Sequence, residues 1–193
     1  APGALQRRAV SPPMKRVLLV NTNTLQAPYP VPPLGLCLVA ASLEGRYEVK
    51  IHDGCTQGAG ESLRASILEF SPDYVGLGIR NVDDTTMDGG TFFGDALVEE
   101  FARPVRAWTK APLILGGSGF TILPREFLAA TGADYGVIGE GETTFSALLR
   151  ALDEGLDPAG VPGVLCRSGS VPRTPPPVDV AAMPFSRVDQ RLD

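Results

Sequence analysis

The chain has 193 residues, 44% hydrophobic and 20% charged, with a formal net charge of -5, a size and mix that suit one globular domain with a substantial core. The acidic balance and scattered basic residues argue against a nucleic-acid partner, and no apolar run approaches the roughly 20 residues of a membrane helix. Cys37, Cys55 and Cys166 lie too far apart for a close-spaced metal motif or a disulfide framework and read as free thiols.

Residues 1–13, rich in Pro, Ala and Arg, lack periodicity and lack the apolar centre of a signal peptide. They read as a disordered or tag-like segment of a cytoplasmic protein. Short apolar runs then alternate with stretches of helical period. Arg16 to Asn21, Glu48 to His52, Tyr74 to Ile79, Pro112 to Leu115 and Tyr135 to Ile138 predict buried strands, because Val, Ile and Leu run without polar alternation. Helices are predicted over Leu34 to Leu43, Glu61 to Phe70, part of Phe92 to Thr109, Leu123 to Ala130 and Glu142 to Leu152, with Pro104 limiting the third. Right-handed crossovers between such units predict an α/β, flavodoxin-like (Rossmann-like) sheet of five parallel strands, order 2-1-3-4-5, with helices on both faces. A hairpin, GVLCRSGSVPR, turning at Ser168 and Gly169, is expected after the last helix. Residues 168–193, with the RTPPP stretch, read as the hairpin's end and a linker leading out of a domain spanning 14–167.

In this topology ligands lie beyond the carboxyl ends of the strands. The loop after strand 1, NTNTLQAPYPVPPLGL, carries four prolines between Pro28 and Pro33 and predicts a stiff wall suited to a large, flat ligand. After strand 3, Arg80 sits at the rim. After strand 4, GGSGF places Gly116, Gly117 and Gly119 where a ligand can lie against bare backbone, and after strand 5 GEGETTF clears space again and opens a helix. Neither G-x-G-x-x-G after strand 1 nor G-x-x-x-x-G-K-[ST] is present, which disfavours nicotinamide dinucleotides and nucleoside triphosphates. Residues 21–36 contain no Asp or Glu, which disfavours a phosphoacceptor receiver.

The strings VLLVNTNTLQAPYPVPPLGL, VGLGIRNVDD, LILGGSGF and GADYGVIGEGETTF, in this order at strand ends, resemble the amino-terminal cobalamin-binding domain of cobalamin-dependent radical S-adenosylmethionine enzymes, over about residues 14–190. The resemblance implies cobalamin, in use methylcobalamin, with its dimethylbenzimidazole tail tucked beside the sheet. It also implies a radical S-adenosylmethionine domain in cis or trans, holding S-adenosylmethionine and a [4Fe-4S] cluster, and a reductase as electron donor. The C-x-x-x-C-x-x-C motif of that domain is not among these residues, so a fragment or one subunit of a split enzyme is expected.

Carried over residue by residue, the resemblance sets Thr22, Asn23, Thr24, Tyr29, Pro30 and Val31 against the lower face of the corrin. It sets Gly78, Ile79, Arg80, Asn81 and Val82 near the tail, Gly116, Gly117, Ser118, Gly119 and Phe120 around the benzimidazole and its ribose, and Gly139, Glu140, Gly141 and Glu142 at the tail's outer end. The Asp-x-His-x-x-Gly motif that ligates cobalt in mutases is absent, and the single histidine, His52, ends strand 2, a structural position. A base-off cofactor without an axial histidine is therefore expected, with no metal-ligating or catalytic residue assigned to this chain and Arg80 as a non-coordinating cation below cobalt. Arg80 pairing with Asp83 or Asp84 at the surface is the plainer alternative, and Glu140 and Glu142 read as charges at a helix amino terminus. The implied reaction is transfer of a methyl group from methylcobalamin to a substrate carbon radical. The alternative is a stand-alone carrier of a corrinoid or flavin.

Overall fold

Burial on both faces explains the uninterrupted apolar strands: Val17, Leu18, Leu19 and Val20 of the first strand are each at most 1% exposed. In the computed structural model, which describes residues 13–26, 29–83, 93–169, 173–175, 179 and 181, the parallel strands are β1 (Lys15–Asn21), β2 (Tyr47–Asp53), β3 (Tyr74–Gly78), β4 (Leu113–Gly116) and β5 (Tyr135–Val137). Their order is the predicted 2-1-3-4-5, extended by β6 (Val164–Cys166), which pairs antiparallel with β5. The predicted hairpin thus contributes its first arm as an edge strand; residues 170–172 of the second arm lie outside the described residues.

The helices are α1 (Leu34–Ser42), α2 (Gly54–Gln57), α3 (Glu61–Phe70), α4 (Gly94–Ala96), α5 (Arg103–Trp108), α6 (Ser118–Ile122), α7 (Pro124–Thr131) and α8 (Gly141–Asp153). Pro104 does not limit the third predicted helix. A wide π turn, Leu97–Ala102, joins α4 to α5, and the helical run continues through Pro104 to Trp108. The short helices α2 and α6, too brief to show a period, were not predicted.

Strand alternation divides the core into two layers. Leu18, Val20, Leu77, Leu113 and Leu115 point to the face covered by α3, α5 and α7, with Phe101 and Phe127 in that layer. Val17, Leu19, Ile114 and Val137 point to the opposite face, which α1 and α8 cover with Val39, Phe145 and Leu148. At the amino-terminal edge of the sheet, Asp153 at the end of α8 accepts hydrogen bonds from Tyr47 Oη (2.6 Å), Tyr74 Oη (2.5 Å) and Lys15 Nζ (2.5 Å). That cluster ties α8 to β1, β2 and β3. All three cysteines are buried and none is bridged in a disulfide.

His52 is fully buried and structural. Its Nε2 donates to Gly58 O at 2.7 Å and Nδ1 accepts from Ser66 Oγ at 3.1 Å, the tautomer that satisfies both partners. Burial lowers its pKa from the usual histidine range.

Candidate functional site

A cleft of about 690 Å³ opens at the carboxyl edge of the sheet and runs down the α1/α8 face. Its floor is Leu19, Gly76, Gly78, Ile114, Gly116 and Val137; one wall is the turn from Val31 to Leu36 with Val39 of α1, the other Glu140, Gly141, Glu142 and Phe145 at the start of α8. Glycine makes this space. A Cβ on Gly78 would stand 2.8 Å from Leu36 Cδ2 of α1, and one on Gly76 3.2 Å from Phe145 Cζ of α8, so bare backbone at these two positions lets both helices lie close to the sheet. At Gly141 a Cβ would stand 2.9 Å from Val39, so this glycine lets the first turn of α8 approach α1. Gly116 differs: its nearest neighbour would be Val137, 3.8 Å away, so its missing side chain leaves open floor.

The loop after β4 is fixed by a conformation only glycine holds comfortably. Gly117 has φ +99, and a Cβ there would run into the Ile79 carbonyl. Gly119 N donates to Ile79 O at 2.9 Å and Ser118 Oγ to Arg80 O at 2.9 Å, so this loop and the one after β3 are laced together at the mouth. Thr121 Oγ1 accepts from Gly139 N at 3.0 Å and donates to Gly117 O at 3.1 Å, joining the loops after β4 and β5.

Polar groups at the cleft are few. Asn21 is buried but engaged, donating to Asp53 and accepting from Asn23 N. Arg80 and Glu140 are exposed at the rim, and Arg80 forms no ion pair among the described residues. Glu142, in the first turn of α8, is 8% exposed, and its Oε2 is the one buried side-chain nitrogen or oxygen among the described residues without a hydrogen-bond partner. Desolvation raises its pKa, and the neighbouring charge of Glu140 adds to the rise. Glu142 thus stands at the helix amino terminus, as expected, with its side chain inside.

Of the residues singled out in the sequence, Val31, Gly78, Ile79, Arg80, Gly116, Gly117, Ser118, Gly139, Glu140, Gly141 and Glu142 come together on this cleft. Thr22, Asn23, Thr24 and Asn81 line a separate small recess of about 30 Å³ beside Phe93 and Phe101, which Arg80 alone shares with the cleft. Tyr29 and Pro30 are exposed and line neither space, and Val82 packs against the other core layer. Gly119 and Phe120 are buried, Phe120 filling the space above Gly136 in the core. Ala27 and Pro28 of the proline loop and Asp84 lie outside the described residues. Sequence reasoning missed the floor residue Gly76 and the apolar walls Leu36, Val39 and Phe145. A glycine inside a buried strand is a signal of close approach that would have found the first; the walls follow only from the packing of α1 and α8 against the sheet.

The comparisons with known proteins agree with this geometry. The tryptophan 2-C-methyltransferase of Streptomyces laurentii is 34% identical over 181 residues, 87% of this chain and 29% of the relative. A structure of the radical S-adenosylmethionine methyltransferase TsrM from Kitasatospora setae, with cobalamin and a [4Fe-4S] cluster bound, superposes with a TM-score of 0.74 at 30% identity, over 86% of this chain and 30% of that one. The cobalamin-dependent S-adenosylmethionine radical enzyme OxsB shares the fold, with a TM-score of 0.68 at 18% identity over 93% of this chain and 25% of that one. The chain thus spans under a third of the length of these relatives. The B12 binding domain family matches residues 20–149, across β1 to α8 and all four loops at the cleft, and the chain belongs to that family.

Proposed function

We propose that the chain is the cobalamin-holding module of a radical S-adenosylmethionine methyltransferase, taking the cofactor base-off with its benzimidazole tail in the α1/α8 cleft and its corrin over the strand ends. The observation that carries this is the glycine-floored slot: an apolar cleft of about 690 Å³, entered from the strand ends, fits a flat heteroaromatic tail better than a charged nucleotide. The described residues also fit the group chemically, since the one orphaned buried polar atom, Glu142 Oε2, belongs to a residue lining that slot. Similarity to TsrM, whose structure holds cobalamin, supports the same reading.

When bound, cobalamin supplies the cobalt-centred methyl carrier. This chain's residues bind and orient it. Gly76, Gly78 and Gly116 would receive the tail, and the Val31–Leu36 turn would exclude water from one side. The laced loops holding Gly117, Ser118 and Gly139 would set the height of the corrin. Thr22, Asn23 and Thr24, on the second recess, would meet the corrin edge, with Tyr29 and Pro30 beyond them. His52 is held by Ser66 and Gly58 inside the core, so a lower face bounded by Arg80 and Asn81 would offer cobalt no imidazole. The methyl acceptor, the [4Fe-4S] cluster, S-adenosylmethionine and an electron donor belong in this reading to a radical S-adenosylmethionine domain in cis or trans.

Incubating the purified chain with hydroxocobalamin, reducing it, and desalting tests the proposal. Retention of one equivalent with a base-off absorption spectrum is expected. Loss of the corrinoid with retention of flavin would replace it with the flavin-carrier reading.

A further inference from the structure

The cleft's polar inventory points to a single anchor. Asn21, Ser118 and Thr121 reach it but are already paired within the protein, and Arg80 and Glu140 are exposed at its rim. Only Glu142 combines burial with an unmatched oxygen, and it stands in the first turn of the 13-residue α8, beside the apolar Val39 and Phe145 that line the slot with it. A buried oxygen left unmatched is destabilising, so the apo fold carries a defect that an occupant can repair.

We propose that the Glu142 carboxyl is the polar anchor of this slot, donating its proton to the ring nitrogen that the tail's benzimidazole presents once it has left cobalt. This rests on the cobalamin reading above and deepens it, assigning the choice of corrinoid to one side chain. The ring nitrogen is a neutral acceptor in an apolar site, so it needs a donor without net charge. A protonated carboxyl is such a donor, and the desolvation that raises the pKa of Glu142 favours that form. An ionised carboxylate, an acceptor only, would face the nitrogen lone pair unfavourably. The slot would therefore select corrinoids whose lower base carries a free ring nitrogen over those whose lower base is a phenol of similar size.

The test compares cobalamin with a phenolyl cobamide, whose tail lacks the ring nitrogen, both in the cobalt(I) state, in which neither tail is on the metal, on the wild-type chain and on Glu142→Leu and Glu142→Gln. The wild type should prefer cobalamin by about tenfold, the worth of one buried hydrogen bond. Glu142→Leu should abolish that preference, and Glu142→Gln, which keeps a neutral N–H donor, should hold it within about threefold. Difference infrared spectroscopy of the wild type gives a second readout independent of whether Glu142→Leu folds. A protonated-carboxyl band should shift when cobalamin binds, stay put with the phenolyl cobamide, and be missing in Glu142→Gln. Equal affinity of the wild type for both corrinoids, or a cobalamin complex without that band, overturns the anchor alone. A wild-type chain that takes neither corrinoid overturns the cobalamin reading as well.

Discussion

Gly116→Val separates the cleft's role in binding from its role in folding. On β4, Gly116 shares a face with Ile114, so the new side chain would project into the slot, where the nearest protein atoms to its Cβ are 3.8 Å away. No clash opposes it in the apo protein, and a β-branched residue suits a strand better than glycine does, so apo stability should hold or rise by up to about 1 kcal/mol. A tail in the same space would meet the added methyls. Overfilling a well-packed site costs roughly 1–3 kcal/mol, so cobalamin affinity should fall by roughly 5- to 150-fold. Titration with hydroxocobalamin, followed by absorption, and urea denaturation of the apo protein read the two quantities separately. Wild-type affinity in a stably folded Gly116→Val protein would refute the placement of the tail; a large loss of apo stability would refute the reading of Gly116 as open floor.

Gly117→Ala should behave in the opposite way. With φ +99 and the Ile79 carbonyl in the path of a Cβ, it should lower the urea midpoint by the equivalent of about 1–3 kcal/mol before any ligand is added. Asp153→Ala removes the acceptor of Tyr47, Tyr74 and Lys15 and should cost about 2–3 kcal/mol in the same assay. The same cluster predicts an alkaline limb. Burial and Asp153 raise both tyrosine pKa values, that of Tyr74 to about 12, so the stability is complete below the ordinary tyrosine value of 10.0 and is lost as pH rises through about 12. Phenylalanine at both positions should flatten that limb. His52 gives the acid counterpart: its folded pKa is depressed below 6.5, so its contribution is present above that value and fades as pH falls. Urea midpoints taken between about pH 7.5 and 5 should decline in the wild type and decline less in His52→Leu, which starts lower because Ser66 and Gly58 O lose their partner.

Much of the sheet was legible because both of its faces are buried, which writes each strand as an apolar run such as VLLV or LIL. The glycine loops were legible for a related reason: a strand end followed by Gly116 and Gly117, or by Gly139 and Gly141, leaves few uses for the space cleared. What the residues did not reveal was set by packing between distant segments. Phe120 reads as part of a ligand loop, yet the absent side chain of Gly136 on the next strand draws its ring into the core. Thr22, Asn23 and Thr24 follow β1 at a strand end, and their place in the recess beside Phe101, apart from the cleft, comes from the approach of a distant helical segment. The burial of Glu142 depends on α8 meeting α1, which the contact of Gly141 with Val39 permits and no local pattern announces. The edge strand β6, only three residues long, has too little sequence to declare its direction.

In the proposed arrangement the tail base leaves cobalt for the cleft and no protein nitrogen takes its place. Electron paramagnetic resonance of the chain loaded with cobalamin and reduced to the cobalt(II) state reads that ligand directly. A base-off signal whose cobalt hyperfine lines carry no nitrogen splitting is expected. Lines split into triplets by an axial nitrogen, from the cofactor's own benzimidazole or from His52, would contradict it.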